Sequence, residues 1–315
     1  MIHRIYFAPG MFGFGRLASY DYFTHMERAL QSRMSVAGAE VACHVVEVPP
    51  TASVRRRAGR LVELVARTCE DDGGPIHLVG HSTGGLDARL AASPSAVLPV
   101  TKESLAWIPR LRSVTTMNTP HYGTPLASFF ATVSGQRMLY ALSALTFIGL
   151  SIGAPPLAAA SALVGLLGRF DSALGVELKI IDKTVDGLLR VLDDARSREV
   201  RAYLGEIRED QGAVIQLTPE AMDLFQAGVE NRAGVLYQST ASMSPPPSPG
   251  KWVRSLGKPW NAISQALFAT LHQITARYDD KYPCAALNAG EQAETQLARS
   301  FGRAPGARAN DGVVP

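Results

Sequence analysis

Hydrophobic and polar positions follow two different periods between Ile2 and Met117. Four runs that alternate or are continuously apolar predict strands over Ile2–Ala8, Val41–Val48, Ile76–Val79 and Arg112–Met117. Apolar residues between these runs recur at helical spacing, which predicts helices over Tyr20–Val36, Ser53–Cys69 and Ser82–Ala92. The alternation of strands and helices predicts a mostly parallel sheet with helices on both faces.

The alternation stops after this region. Residues 138–168 carry no charged side chain, and a charged, amphipathic helical region follows over Leu178–Ile207. Strand character returns at Ala233–Thr240, and Trp260–Ala276 has a helical pattern. We therefore expect an α/β core formed by residues 1–125 and 231–315, interrupted by a helical apolar insertion over residues 126–230. The insertion would act as a cap or lid. A membrane hairpin stays open as an alternative, because its first apolar arm is at the lower length limit for a bilayer span.

Composition narrows the functional classes. The chain has 315 residues and a net charge of +3, which is too small to indicate nucleic-acid binding. The basic cluster Arg55–Arg57 with Arg60 lies on a predicted helix, and we expect a solvated helix face. Cys43, Cys69 and Cys284 are far apart, without zinc-site spacing, so we expect buried thiols with at most one disulfide, and no metal site. No cofactor is expected. Residues 1–7 do not form a secretion signal, which predicts a cytoplasmic protein.

The strongest chemical signal is Gly80-His81-Ser82-Thr83-Gly84, which stands between a predicted strand and a predicted helix. In this setting the pattern predicts a nucleophile elbow, a sharp turn that raises the serine hydroxyl above the sheet. The alternative is a glycine-rich turn without chemistry. One oxyanion donor would be the Thr83 N–H, and the second would come from the loop at residues 9–15, with the Met11 N–H as the best choice. Asp87 and Arg89 follow the elbow, and we expect them to form a structural ion pair without a catalytic role.

Four motifs carry a resemblance to a known family. Pro9–Phe14, Gly80–Gly85, Asn118–Pro125 and Asn310–Val314 are spaced as in bacterial triacylglycerol lipases of the Pseudomonas/Burkholderia type. This resemblance implies the α/β-hydrolase fold, with Ser82 as nucleophile, Asp311 as triad acid, and Met11 and Thr83 as the oxyanion hole. It also implies that residues 126–230 are the lid and cap. The chain departs from the family at Pro9-Gly10, where the family has His-Gly, and no calcium site is carried over.

The triad histidine is not found by the resemblance. The chain order in this fold is Ser, Asp, His, and the four residues after Asp311 include no histidine. By position alone, His121 and His272 are weak candidates. The simplest expectation is that the sequence ends inside the acid loop and that the base lies beyond it.

The sequence thus predicts a serine carboxylic-ester hydrolase, lipase- or esterase-like, which acts on apolar acyl esters through an acyl-enzyme. A related acyltransferase or polyester hydrolase would use the same apparatus. A different class also stays open, namely an inactive hydrolase-like protein that binds an acyl ligand or a membrane. The expected partners are an acyl-ester substrate and a lipid surface contacted through residues 138–168, which leaves membrane association open.

Overall fold

The computed structural model describes the chain with a few gaps, over residues 1–12, 16–17, 20–152, 157–168, 185–187, 189–190, 192–248, 258–277, 290–303, 305–306 and 308–315. Internal contacts divide it into two compact units. The first unit comprises Met1–His121, Arg201–Gln216 and Met222–Ala241. The second unit comprises Tyr122–Val200, Leu217–Ala221 and Ser242–Pro315. Residues 242–315 thus group with most of the predicted insertion, whereas residues 201–216 of that insertion group with the sheet.

The first unit is built on a five-stranded sheet in the order β4-β1-β5-β6-β7. Its strands are β1 (Ile2–Ala8), β4 (Glu40–Val45), β5 (Ile76–His81), β6 (Leu111–Met117) and β7 (Leu236–Thr240). Every ladder is parallel, so the carboxyl ends of all five strands lie at one edge. A separate antiparallel pair is formed by β2 (Arg16–Leu17) and β3 (Tyr20–Asp21).

Helices cover both faces of this sheet. The helices lying wholly or partly in the first unit are α1 (Thr24–Val36), α2 (Val54–Thr68), α3 (Thr83–Ala92), α7 (Asp194–Glu209), α8 (Gly212–Gln216) and α9 (Pro219–Gly228). Strand β1 shows the arrangement directly: Tyr6 and Ala8 join the core beneath α2 and α3, whereas Ile5 and Phe7 pack with Phe23 beside α1. Neighbouring side chains of a strand point to opposite faces, so these two sets lie on opposite faces of the sheet. Both sets are buried, which shows that both faces are covered. The predicted parallel sheet with helices on both faces is confirmed, and the strand order is consistent with an α/β-hydrolase fold.

The second unit is helical. It contains α4 (Pro125–Phe130), α5 (Val133–Ile152), α6 (Leu157–Gly168), α10 (Pro259–Thr275) and α11 (Gly290–Phe301). Helix α10 packs against α4 and α6, and α5 also packs against α4 and α6. Within the described ranges, no helix combines the length and apolarity needed to cross a membrane.

Several predicted boundaries shift. The helix predicted over Tyr20–Val36 begins only at Thr24, because residues 20–21 form β3. The first part of the region predicted over Leu178–Ile207 lies outside the described residues, as do Cys284 and residues 13–15 of the glycine-rich loop. The later part of the predicted region Leu178–Ile207 belongs to α7. Helix α11 was not predicted.

Candidate active site

Ser82 occupies a strained backbone conformation at the carboxyl edge of the sheet. It connects the last residue of β5 to the first residue of α3, with φ 54° and ψ −126°. Positive φ is costly for a residue with a Cβ and persists only where the surroundings impose it. The Ser82 N–H donates to the Met117 carbonyl over 2.8 Å, and the Ser82 carbonyl accepts from the Gly85 N–H over 3.0 Å. Both flanking peptide groups are therefore fixed.

The glycines around Ser82 are required by close packing. A Cβ on Gly80 would collide with the backbone of Gly84, and a Cβ on Gly84 would collide with the Ala8 carbonyl at the end of β1. A Cβ on Gly85 would overlap the Thr119 side chain. The strand, the turn and the helix approach one another so closely that only glycine fits, which explains the spacing of the motif.

The loop after β1 passes directly beside Ser82. A Cβ placed on Gly10 would lie 2.9 Å from Ser82 Cβ and 3.4 Å from His81 Nδ1. Met11 follows in this loop, and Thr83 is the first residue of α3. The N–H of a first helical residue has no acceptor within its own helix. The structure thus brings Met11 and Thr83 to segments that adjoin Ser82, as an oxyanion hole requires.

A buried arginine holds this loop in place. Arg57 of α2 donates from Nη2 to the Pro9 carbonyl over 2.6 Å and to the Gly10 carbonyl over 3.2 Å. In a trans peptide the N–H points away from the C=O of the same plane. Because Arg57 binds the Gly10 carbonyl, the Met11 N–H must point away from the guanidinium. The arginine therefore sets the direction of the predicted oxyanion donor.

The same guanidinium also forms an ion pair beneath the elbow. Arg57 Nε donates to Asp87 Oδ2 over 2.9 Å, and both side chains have 0% exposure. Burial raises the pKa of Asp87 to about 6, against the lowering effect of Arg57. The expected solvated face is therefore wrong for Arg57, although Arg55, Arg56 and Arg60 are exposed. The expected pairing of Asp87 with Arg89 is also wrong, because residues two apart on a helix point to different sides.

We predict that Arg57→Met lowers the free energy of unfolding by about 3–5 kcal/mol, because it leaves Asp87 as an unpaired buried charge. Arg56→Met, one residue earlier, is the matched control. It removes only a half-exposed pair with Asp210 and should cost about 1 kcal/mol or less. Urea unfolding of both variants measures the difference. Equal losses would contradict the assignment of Arg57 as a buried anchor.

His121 has a polar partner at each ring nitrogen. Arg89 Nη1 lies 3.2 Å from Nδ1, and Thr116 Oγ1 lies 3.0 Å from Nε2. A guanidinium can only donate, so Nδ1 accepts and the proton of the neutral ring is assigned to Nε2. Burial, followed by the charge of Arg89, lowers the pKa of His121 to about 4. The Gln226 amide also donates to the His121 carbonyl. These contacts favour a structural role for His121 over that of a base for Ser82.

His121 should make folding sensitive to acid. Its pKa is lowered in the folded protein, so the unfolded chain binds more protons as pH falls from about 6.5 towards 4, and stability decreases over that window. Between pH 7.5 and pH 5 the contribution of His121 to this loss should be about 2 kcal/mol. Urea titrations at both values should show a smaller loss for His121→Asn than for the parent protein. His25→Asn, at an exposed position of α1, is the control, and a loss unchanged in His121→Asn would refute the prediction.

Asp311 lies in a tightly bonded loop of the second unit. Its Oδ1 accepts from the N–H groups of Val313 over 2.8 Å and Val314 over 2.7 Å. Gly312, with φ 104°, donates its N–H to Asn310 Oδ1 over 2.8 Å. The loop is tied to α10, because Thr275 Oγ1 donates to the Gly312 carbonyl over 3.1 Å. The Asp311 carboxylate is thus held by the backbone N–H groups of the residues that follow Gly312.

His272 lies near the end of α10 in the same unit. Its ring packs against Phe268 at 5.5 Å, and its carbonyl accepts from Asn310 Nδ2 over 3.4 Å. Burial lowers the pKa of His272. Among the described residues, neither ring nitrogen of His272 bonds to Asp311. Ser82, Met11, Thr83 and His121 belong to the first unit, whereas Asp311 and His272 belong to the second.

Sequence reasoning missed the role of Arg57, although a signal was present. Arg57 lies three residues after Val54 and four before Leu61, both of which are buried on the sheet-facing side of α2. A charged residue on the apolar stripe of an amphipathic helix must find a buried partner. That pattern, rather than the run of three arginines, identifies the anchor.

Several solved structures of bacterial lipases and esterases are similar to the chain. A lipase from Staphylococcus hyicus has 17% sequence identity and a TM-score of 0.43, over 84% of this chain and 76% of that chain. Lipase 1 from Pelosinus fermentans has 15% identity and a TM-score of 0.42, over 78% of this chain and 69% of that one. EstA from Clostridium botulinum has 18% identity and a TM-score of 0.40, over 77% and 61% of the two chains.

No protein-family model matches the chain. No curated protein matches it by sequence.

Proposed function

We propose that the protein is a serine carboxylic-ester hydrolase of the lipase or esterase kind, with Ser82 as its nucleophile. The observation that carries the proposal is the positive φ of Ser82 at a strand-to-helix junction where neither Gly80 nor Gly84 leaves room for a Cβ. Such strain is costly, and a plain connection between β5 and α3 has no need of it. A nucleophile elbow requires this conformation because it exposes the hydroxyl at the carboxyl edge of the sheet.

In the proposed reaction, Ser82 Oγ attacks the acyl carbonyl and forms a tetrahedral intermediate. Its oxyanion accepts hydrogen bonds from the N–H groups of Met11 and Thr83, which need no reorganisation because their segments are already fixed. Collapse releases the alcohol and leaves an acyl-enzyme, which water then hydrolyses. Serine needs a general base, and we propose a histidine oriented by the carboxylate of Asp311.

The proposed substrate is an ester with an apolar acyl chain. Its support is the uncharged stretch at residues 138–168, which supplies apolar side chains of α5 and α6. We propose that these helices belong to a cap or lid that opens at a lipid surface. An apolar cap would favour long acyl chains over small polar esters, because burial of each methylene contributes about 0.8 kcal/mol.

A binding protein without catalysis is the second candidate. It is favoured by the contacts of His121, whose two ring nitrogens are already engaged, and by the lack of a bond between His272 and Asp311 within the described residues. In that case the turn at Ser82 would have no catalytic role and would lie beside an acyl-binding surface. Labelling of Ser82 separates the two candidates.

We expect a fluorophosphonate probe to modify the full chain at Ser82, and nitrophenyl esters to be hydrolysed faster as the acyl chain lengthens. Ser82→Ala should abolish labelling and lower turnover by several powers of ten, because no other group forms the acyl-enzyme. Ser104→Ala, at a site remote from the elbow, should leave both unchanged. Folded parent protein that takes up no label would support the binding protein instead.

We predict that Gly10→Ala slows labelling of Ser82 by roughly ten-fold or more, because a new methyl group would displace the oxyanion loop, residues 9–12 after β1, from Ser82. Gly228→Ala is the matched control, since a Cβ there meets nothing within 4 Å. Rates of fluorophosphonate labelling and circular dichroism spectra should be recorded for both variants. A Gly10→Ala variant that labels at the parental rate would show that this loop does not supply the donor.

A further inference from the structure

A tyrosine of α7 touches the strained end of the oxyanion loop. Tyr203 donates its hydroxyl to the Phe12 carbonyl over 3.2 Å, and both residues belong to the first unit. Phe12 has φ 75°, a conformation that a bulky aromatic residue rarely adopts. Its N–H donates to the Pro50 carbonyl over 2.7 Å. The backbone of Phe12 is therefore held on both sides, which is how a strained residue is kept in place.

Consecutive peptide planes of this loop are tied to three different parts of the first unit. Arg57 binds the carbonyls of Pro9 and Gly10, Pro50 accepts the Phe12 N–H, and Tyr203 binds the Phe12 carbonyl. The Met11 N–H shares its peptide plane with the Gly10 carbonyl that Arg57 binds, and the two planes after it are held by Pro50 and Tyr203. Its direction depends on the planes before and after it, because rotation of one peptide plane must be absorbed by its neighbours.

Tyr203 reaches the loop because the chain after it is docked on the segment that holds Phe12. Thr51 Oγ1 donates to the Asp210 carbonyl over 2.6 Å, and the Thr51 carbonyl accepts from the Ala213 N–H over 3.0 Å. Gln216 Oε1 accepts from the Val54 N–H at the start of α2 over 2.8 Å. Residues 203–216, residues 50–57 and the oxyanion loop therefore form one closed set of hydrogen bonds.

We infer that Tyr203 is a positioning residue for the oxyanion donor: by holding the Phe12 carbonyl, it keeps the Met11 N–H aimed beside Ser82. The inference rests on the proposed function. It gives residues 201–216, which the sequence placed in the insertion, a direct part in catalytic geometry. Burial raises the pKa of Tyr203, so the phenol stays protonated and able to donate throughout the pH range of ester hydrolysis.

The test compares two variants of the full chain that each lose one phenolic hydroxyl. Tyr203→Phe removes the bond to Phe12. Tyr6→Phe is the matched control, because its buried hydroxyl bonds to Thr68 Oγ1 over 3.0 Å and does not touch the loop. The measurements are kcat and KM on a nitrophenyl ester, the fluorophosphonate labelling rate, thermal stability, and hydrogen exchange of the peptide that contains residues 9–12.

We expect Tyr203→Phe to lower kcat and the labelling rate by roughly ten-fold with little change in KM, since it misaligns a donor used only in the transition state. Exchange of the loop amides should accelerate. Tyr6→Phe should lower thermal stability to a similar extent but leave kcat, labelling and loop exchange at parental values.

A Tyr203→Phe variant that matches Tyr6→Phe in kcat and loop exchange would overturn the inference. Failure of the proposed function has a different signature, because the parent protein itself would then show neither labelling nor turnover. Hydrogen exchange would still report in that case whether Tyr203 orders the loop. A loop that exchanges faster without loss of labelling in an active parent would also overturn the inference, because order would then be unrelated to the donor.

Discussion

The left-handed backbone of Ser82 is the constraint on which the site depends. A strand and a helix meet there with so little room that a Cβ on Gly80, Gly84 or Gly85 would overlap neighbouring atoms. The close packing of β5 against α3 fixes the turn, and the turn places Ser82 at the carboxyl edge of the parallel sheet. The proposed chemistry follows from that placement, because the loop after β1 ends at the same edge and passes against the serine.

The loop beside Ser82 is held by polar contacts. The cost of burying Arg57 and Asp87 is offset only if the guanidinium finds enough acceptors, and it finds them in the carboxylate and in the carbonyls of Pro9 and Gly10. An apolar pair of similar size would fill the space but could not orient a peptide plane. The buried charge therefore provides geometry more than stability. Tyr203 and Pro50 extend the same principle to Phe12, where the backbone would otherwise relax.

Much of the first unit could be predicted from local patterns. Strand β1 matches its predicted limits, and α2 and α3 begin within one residue of theirs, because alternation, helical spacing and glycine placement act over a few neighbouring residues. The sharp turn at Ser82 between β5 and α3 could be predicted for the same reason. Residues 231–315 were predicted as part of one core, and internal contacts place β7 in the first unit and the Asp311 loop, which bonds to α10, in the second. Such partners are distant in sequence and leave no local pattern.

By itself, the sequence determined the order of the main strands and helices of the first unit, the parallel arrangement of the strands in the large sheet, and the serine at a turn between two glycines, since each depends on short-range sterics and periodicity. Only the tertiary structure decided which arginine is buried, that Asp87 pairs with Arg57 and not with Arg89, and that both ring nitrogens of His121 are engaged. It also decided that Phe12 is held in a left-handed conformation by residues from two other segments. These features depend on which polar groups meet after the chain has packed, and a buried charge takes whichever partner that packing brings within reach.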